Sequence, residues 1–269
     1  MKLLHVTDLH MTGFTESLDG LYARIPAHAW WAQARRYDLM GYLVPMALRQ
    51  GLTEDRPDLV LFGGDLVDDG FAPIGRDELL QVRGLVTSQV GGAVPVDWLY
   101  GNHDGPQEQF AGLFGPLNWT RDVAGVRIVG LNSGSMEPEE EQESSRVALA
   151  HLRDALATND GLPVVVTLHQ WIWPTDVRGY SFARAEEALE LIEDDPHVVA
   201  VISAHYHSGK IEERNGIHYC TARSLAEPPF CTSTFEVAEG ALVWTEYSLS
   251  AGERRFVADE PRTLRLRGW

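Results

Sequence analysis

Residues Leu59-Val-Leu-Phe-Gly-Gly-Asp-Leu-Val-Asp-Asp-Gly70 decide how the rest of the chain is read. The apolar run is too short for a helix and carries no polar alternation, which is the pattern of a strand buried on both faces. Two glycines stop it and deliver Asp65 beyond its end. In open α/β sheets the carboxyl ends of strands collect at one edge, and ligands bind in the crevice there. The same plan recurs along the chain. Lys2–Thr7 runs into Asp8-Leu-His10, Pro95–Tyr100 into Gly101-Asn-His-Asp104, Pro163–Leu168 into His169, and His197–Ile202 into Ser203-Ala-His-Tyr-His207.

Between these strands the sequence predicts helices over Arg76–Val90, Ser145–Ala157 and Phe182–Asp194, and strands over Trp119–Val123 and Val126–Leu131. The segment from Met11 to Pro45 carries Phe14, Tyr22, Trp30, Trp31, Tyr37 and Tyr42 among Arg24, His28, Arg35 and Arg36. It has no strand period, its second half reads as helix, and its aromatics read as packing a helix on a sheet, the alternative being a substrate-facing rim beside Asp8-Leu-His10. The tract Glu137–Glu143 reads as a solvated acidic loop. After Lys210 short strands follow at Ile217–Thr221, Ser233–Val237 and Ala241–Tyr247, with turns at Asn215-Gly216 and Glu239-Gly240. Strands that alternate with helices early and cluster late predict mixed sheets with helices outside. No repeat or linker divides the chain, so residues 1–269 are read as one domain.

Composition narrows the function. With 44% hydrophobic residues over 269 positions the chain can bury a large core, and no run approaches the roughly 20 apolar residues of a membrane span. The opening residues turn polar too soon for a leader, so cytoplasm is the expected location, with no membrane partner. A net charge of -17 opposes binding to nucleic acid polymers, which rests on Lys and Arg neutralising phosphates. It leaves small phosphate esters open, since bound cations invert the local potential. Cys220 and Cys231 are too few for a disulfide framework and read as buried thiols. The apolar late strands offer an edge that a second copy could pair with.

Taken singly, each strand-end motif is ordinary: an Asp-x-His is more often a turn than a ligand pair. Repeated at five strand ends, the pattern points to convergence. Asp8, His10, Asp65, Asn102, His169, His205 and His207 form a mixed oxygen and nitrogen donor set without thiolate, suited to Mn, Fe or Zn rather than a cysteine-built structural zinc site. The set overfills one tetrahedral centre. Shared between two ions it leaves coordination positions for water and substrate.

The motifs resemble those of the calcineurin-like metallophosphoesterases: Asp-x-His, Gly-Asp-x-x-Asp-x-Gly, Gly-Asn-His-Asp/Glu, a lone His, and Gly-His-x-His. Here they stand, in that order, as Asp8-Leu-His10, Gly64–Gly70, Gly101–Asp104, His169 and Ala204-His-Tyr-His207, with Ala204 where glycine is usual. The resemblance implies a four-layer α/β/β/α sandwich of two mixed β-sheets with a dinuclear metal site at the strand ends. It implies that Asp8, His10, Asp65 and His207 hold one ion, that Asp65, Asn102, His169 and His205 hold the other, and that Asp65 bridges them. A hydroxide between the ions would attack phosphorus. His103 is then the expected catalytic residue, to protonate the leaving group or hold the phosphate, with Asp104 to orient it or raise its pKa. Asp68 is expected to tie its loop, Asp69 to be solvated, and His5, His28, His151, His197 and His218 to lie outside the site. Arg223 and the Trp171–Trp173 loop are candidates for reaching substrate.

The resemblance favours hydrolysis of small phosphodiesters such as cyclic nucleotides or glycerophosphodiesters. Phosphomonoesters and nucleotide pyrophosphates are the alternative substrates on the same core. A non-catalytic scaffold is a third reading, opposed by the complete set of donors.

Overall fold

The computed structural model describes residues 1–12, 34–134, 138–173 and 181–268. Phe14, Tyr22, Trp30 and Trp31, among the aromatics expected to pack on a sheet, lie outside the described residues, as do Arg24 and His28. The first sheet has strand order β12-β11-β10-β1-β2-β3, with β13 also paired to β11. Its strands are β1 (Lys2–Val6), β2 (Leu59–Phe62), β3 (Val96–Trp98), β10 (Cys231–Ala238), β11 (Ala241–Ser250), β12 (Arg255–Ala258) and β13 (Arg262–Arg265). The second has order β4-β5-β6-β7-β9-β8, from β4 (Trp119–Val123), β5 (Val126–Leu131), β6 (Val164–Leu168), β7 (Val198–Ser203), β8 (Ser208–Arg214) and β9 (Ile217–Arg223). Both sheets are mixed: β1, β2 and β3 are parallel, as are β5, β6, β7 and β9, while the remaining pairings are antiparallel.

Five α-helices are seen among the described residues: α1 (Met40–Gln50), α2 (Gly75–Val90), α3 (Gln107–Phe114), α4 (Pro138–Ala157) and α5 (Ala185–Asp194). Strand alternation explains the layering. In β2, Val60 and Phe62 pack with Leu43, Val44, Leu79, Val82 and Val86 of α1 and α2. Their neighbours Leu59 and Leu61 face the other way, into a cluster with Ile128, Val165, Ile202, Phe235 and Trp244 between the sheets. On the far side Val129, Leu131, Val164 and Val166 meet Leu149, Leu152, Leu189 and Ile192 of α4 and α5. Three apolar interfaces between four layers give the α/β/β/α order that the motifs implied. His5 lies on the inter-sheet face of β1, edge-on to Phe235.

Local readings differ in instructive places. From Pro138 onward the acidic tract is helix rather than loop: α4 begins there, and Glu139, Glu140 and Glu141 fill its first turn. Proline at the first helical position surrenders no intrahelical hydrogen bond, and carboxylates there meet the positive end of the helix dipole. Helix α1 runs through Pro45 to Gln50 rather than stopping near the proline. Strands β8, β12 and β13 lacked an apolar run because they lie at sheet margins and carry Lys210, Glu212, Arg255 and Arg262, the charges that edge strands use against mispairing.

The C-terminal tail ties the layers. After β13, Arg267 sends its guanidinium into the end of α5, donating to the carbonyls of Ile192 (2.9 Å), Glu193 (3.0 Å) and Asp195, and to Val198 at the start of β7 (2.8 Å). These are carbonyls a helix end leaves without intrahelical partners. Cys220 and Cys231 are free buried thiols. No helix among the described residues is long and apolar enough to cross a membrane.

Candidate metal centre

The loops after β1, β2, β3, β6 and β7 meet where the carboxyl ends of the two sheets face each other. Main-chain hydrogen bonds lock them together: Asp8 N–H to the Gly64 carbonyl (3.1 Å), His10 N–H to Asp65 (2.9 Å), and Ala204 N–H to His169 (2.9 Å). Asp8, His10, Asp65, His205 and His207 all adopt left-handed backbone, with φ of 52°, 44°, 51°, 65° and 46°. For residues with a Cβ this conformation is strained, and such strain gathers at functional sites. It turns each side chain out of strand register and into one crevice. The glycines make that approach possible. At Gly64, φ is 94° and a Cβ would come within 2.7 Å of His169 Nδ1, while at Gly101 a Cβ would collide with the Asp65 amide.

Asp8, His10, Asp65 and His207 present donor atoms within 4.8 Å of one another, and Asp65, His169 and His205 do the same. The shared atom is Asp65 Oδ2, 3.7 Å from His10 Nε2 and 3.2 Å from His169 Nε2. Its other oxygen accepts the His103 N–H (3.0 Å). His169 Nδ1 lies 2.7 Å from the Gly63 carbonyl and His207 Nδ1 lies 2.7 Å from Glu227 Oε1. Both partners only accept, so the hydrogens sit on Nδ1 and the Nε2 lone pairs face inward. They meet carboxylate oxygens: His207 Nε2 is 3.2 Å from Asp8 Oδ1, and His169 Nε2 is 3.2 Å from Asp65 Oδ2. Asn102 Oδ1 is buried without a hydrogen-bond partner among the described residues. Acceptors that converge at such distances repel unless a cation stands among them, so the residues of the two clusters fit a pair of divalent ions.

The proton affinities report the same demand. Burial disfavours charge on His207 and His169, yet the Asp8 carboxylate with Glu227 raises the first to about 10, and Asp65 raises the second to about 9. One histidine in each cluster is thus driven to take a second proton at Nε2, a positive charge at the place where the neutral ring would turn its lone pair to a cation. Their neighbours go the other way: burial, then Arg35 for His10 and His169 for His205, lower these to about 4 and about 3. Burial would push Asp8 and Asp65 up, but His207 and His169 respectively hold each carboxyl below its ordinary range.

His103 sits beside this centre, its ring edge-on to His10 at 4.8 Å. Its Nδ1 is 2.6 Å from the Asp68 carbonyl, which fixes the hydrogen on Nδ1 and leaves Nε2 to exchange a proton. The expectation that Asp104 orients His103 needs correction. Asp104 turns away and accepts the amides of Leu66 (2.6 Å), Val67 (3.2 Å) and Gly101 (2.9 Å). Fully buried, with the Asp65 charge nearby, its carboxyl is raised to about 8 against the pull of those amides. It clamps the Asp65 loop to the Asn102 loop; adjacency in sequence to His103 was misleading because consecutive turn residues point apart.

Asp68 ties its loop as expected, through both its carbonyl and its side chain, which meets Arg35 Nη1 (2.7 Å) and His10 Nδ1 (3.2 Å). Asp69 is exposed. His151 meets Thr120, His197 meets Asp195, and His218 meets the Arg265 carbonyl, all away from the donors. Trp171 stacks on Tyr206, the residue between His205 and His207, with ring centres 5.2 Å apart and Lys210 over its indole. Trp173 instead packs edge-on to Tyr219 in the second core. Arg223 lies against the Ser208 carbonyl and Glu246. Sequence reasoning missed Glu227 as a site residue altogether and gave Arg35 no role.

Two mixed sheets that bring two donor clusters onto one shared carboxylate define a dinuclear metallophosphoesterase type of architecture. The calcineurin-like phosphoesterase family matches residues 1–209, and the chain belongs to that family. It is 28% identical over 216 residues to a cAMP/cGMP dual specificity phosphodiesterase of Mycobacterium tuberculosis, a match that covers 76% of this chain and 61% of that protein's length. Among solved structures it is similar to a dimetal phosphatase from Danio rerio, with a TM-score of 0.72 at 15% identity over 98% of both chains. It is also similar to GAP50, the anchor in the inner membrane complex of Plasmodium, with a TM-score of 0.65 at 13% identity over 99% of this chain and 89% of that one. At these identities the structural likeness speaks for the fold alone.

Proposed function

We propose that the chain is a metal-dependent hydrolase of small phosphodiesters, with Asp8, His10, Asp65 and His207 holding one divalent ion and Asp65, Asn102, His169 and His205 the other. The observation that carries this reading is the convergence of both donor clusters on Asp65 Oδ2. Two ions held there supply an acidified water and neutralise phosphoryl oxygens. The chain's own residues do the rest. His103, with its hydrogen fixed on Nδ1, takes up a proton at Nε2 and passes it to the leaving alkoxide. Asp104 holds the Asp65 and Asn102 loops at fixed separation. The Trp171–Tyr206 pair, between and beside the histidine donors, offers a planar surface for an aromatic portion of the ester.

The preference for diesters is supported by likeness to the mycobacterial phosphodiesterase. A panel of cyclic nucleotides, bis(p-nitrophenyl) phosphate and p-nitrophenyl phosphate against Mn²⁺-loaded protein tests it. Diesters are expected to turn over at least about tenfold faster than the monoester, a difference of ~1.4 kcal/mol in barrier. The reverse order makes the chain a phosphomonoesterase. Two bound ions with no hydrolysis of any substrate would favour the scaffold.

A further inference from the structure

His207 and His10 are not braced as His169 is. His207 Nδ1 donates to Glu227 Oε1 at 2.7 Å, and His10 Nδ1 lies 3.2 Å from Asp68 Oδ1. The guanidinium of Arg35, buried beside them, faces the same two oxygens: Nη1 is 2.7 Å from Asp68 Oδ1 and Nε is 3.6 Å from Glu227 Oε1. Arg35 Nη1 is also 3.2 Å from His10 Nδ1. A His10 that ligates through Nε2 carries its hydrogen on Nδ1, so imidazole and guanidinium then share Asp68 as acceptor. One cation thus holds two carboxylates, and each carboxylate aligns one imidazole of the same cluster.

The segment that carries Glu227 is fixed to the same place. Between β9 and β10, Ser224 Oγ (3.0 Å) and the Ala226 amide (3.2 Å) donate to the Asp8 carbonyl, and the Arg36 amide donates to the Ala226 carbonyl (2.8 Å). Glu227 lies beyond the residues that match the family. In the other cluster His169 Nδ1 donates to a neutral main-chain carbonyl, that of Gly63. A carboxylate behind an imidazole fixes its orientation and raises its basicity toward a metal.

We propose that Arg35 and Glu227 are positioning residues that make the Asp8–His10–Asp65–His207 position the tighter of two unequal metal positions, filled before its neighbour. Resting on the two-ion reading, this makes metal loading ordered, with the tight position set by residues outside the donor set.

The test is calorimetric titration of Mn²⁺ into chelator-stripped wild-type protein, Glu227→Gln and Arg35→Lys. Glu227→Gln preserves size and an acceptor while it removes charge. The wild type is expected to bind in two phases. Glu227→Gln should weaken the tight phase 10- to 100-fold and leave the weak phase within about threefold. Arg35→Lys, which keeps the charge but loses the fork across two carboxylates, should weaken the tight phase several-fold. An unchanged tight phase in both variants, or an equal loss in both phases, overturns the inference while the two-ion reading stands. Absence of any Mn²⁺ binding by the wild type overturns the two-ion reading itself. Thermal melting in EDTA checks that each variant is folded, and if Glu227→Gln is not, Arg35→Lys decides.

Discussion

At the scale of residues, Asp65 is the member that neither cluster can spare. Its Oδ2 faces His10 of one cluster and His169 of the other. Asp65→Asn should therefore release metal from both positions, whereas Asp68→Asn, which removes a charge only behind His10, should retain two ions at reduced affinity. Metal content after gel filtration separates these outcomes, and two retained ions in Asp65→Asn would disprove the bridge. His103 makes the complementary prediction. Its ring nitrogen Nδ1 is anchored to the Asp68 carbonyl rather than to the centre, so His103→Ala should keep both ions and lose about 10²-fold or more in kcat. Unchanged turnover would remove His103 from the chemistry.

The donors were legible in the sequence because each stands where a buried strand stops, and strand ends on one sheet edge converge whatever their separation along the chain. Their supports were not. Glu227 reaches His207 from 20 residues further on, through a loop with no period of its own. Arg35 lies where the aromatic segment gives way to α1, and nothing local marks it as the partner of two distant carboxylates. Asp104 was misread because proximity along a turn says nothing about the direction in which side chains leave it.

At the scale of elements, the buried strands could be read from their unbroken apolar runs and α2 from its helical pattern, whereas β8, β12 and β13 carry too much charge to show such a run. Position within the layers then sets the energetics. His5, on the inter-sheet face of β1, has no hydrogen-bond partner at either ring nitrogen, and burial lowers its pKa to about 4. Below pH 6.5 the unfolded chain protonates this histidine and the fold does not. Stability should therefore fall as pH drops from 6.5 to 4, by about 3 kcal/mol from this residue. His5→Leu should flatten that part of the curve in denaturant titrations, and an identical slope would contradict the assignment. The end of α5 supplies a second case. Arg267→Ala leaves the carbonyls of Ile192, Glu193 and Val198 without their donor. A loss of about 2 kcal/mol by urea unfolding is expected, with metal affinity unchanged.

At the scale of the molecule, buried carboxylates and inward lone pairs make the centre a source of instability that cations remove. Ions that bind only the folded chain stabilise it by mass action, about 2.7 kcal/mol per site at a hundredfold excess over Kd. Scanning calorimetry should show a melting temperature that climbs with Mn²⁺ and returns to its starting value in EDTA. A melting point indifferent to both would mean that the clusters do not hold ions. The left-handed backbone at Asp8, His10, Asp65, His205 and His207 has a longer consequence. At those positions glycine would relax the main chain by roughly 1 kcal/mol or less, after its own entropic penalty. Replacement of a donor by glycine thus recovers backbone strain but strands the groups that the donor holds, as the His103 amide would lose Asp65 Oδ1. The same side chains that would hold the ions therefore keep the strained turns in place, so loss of a donor should loosen its loop as well as its site.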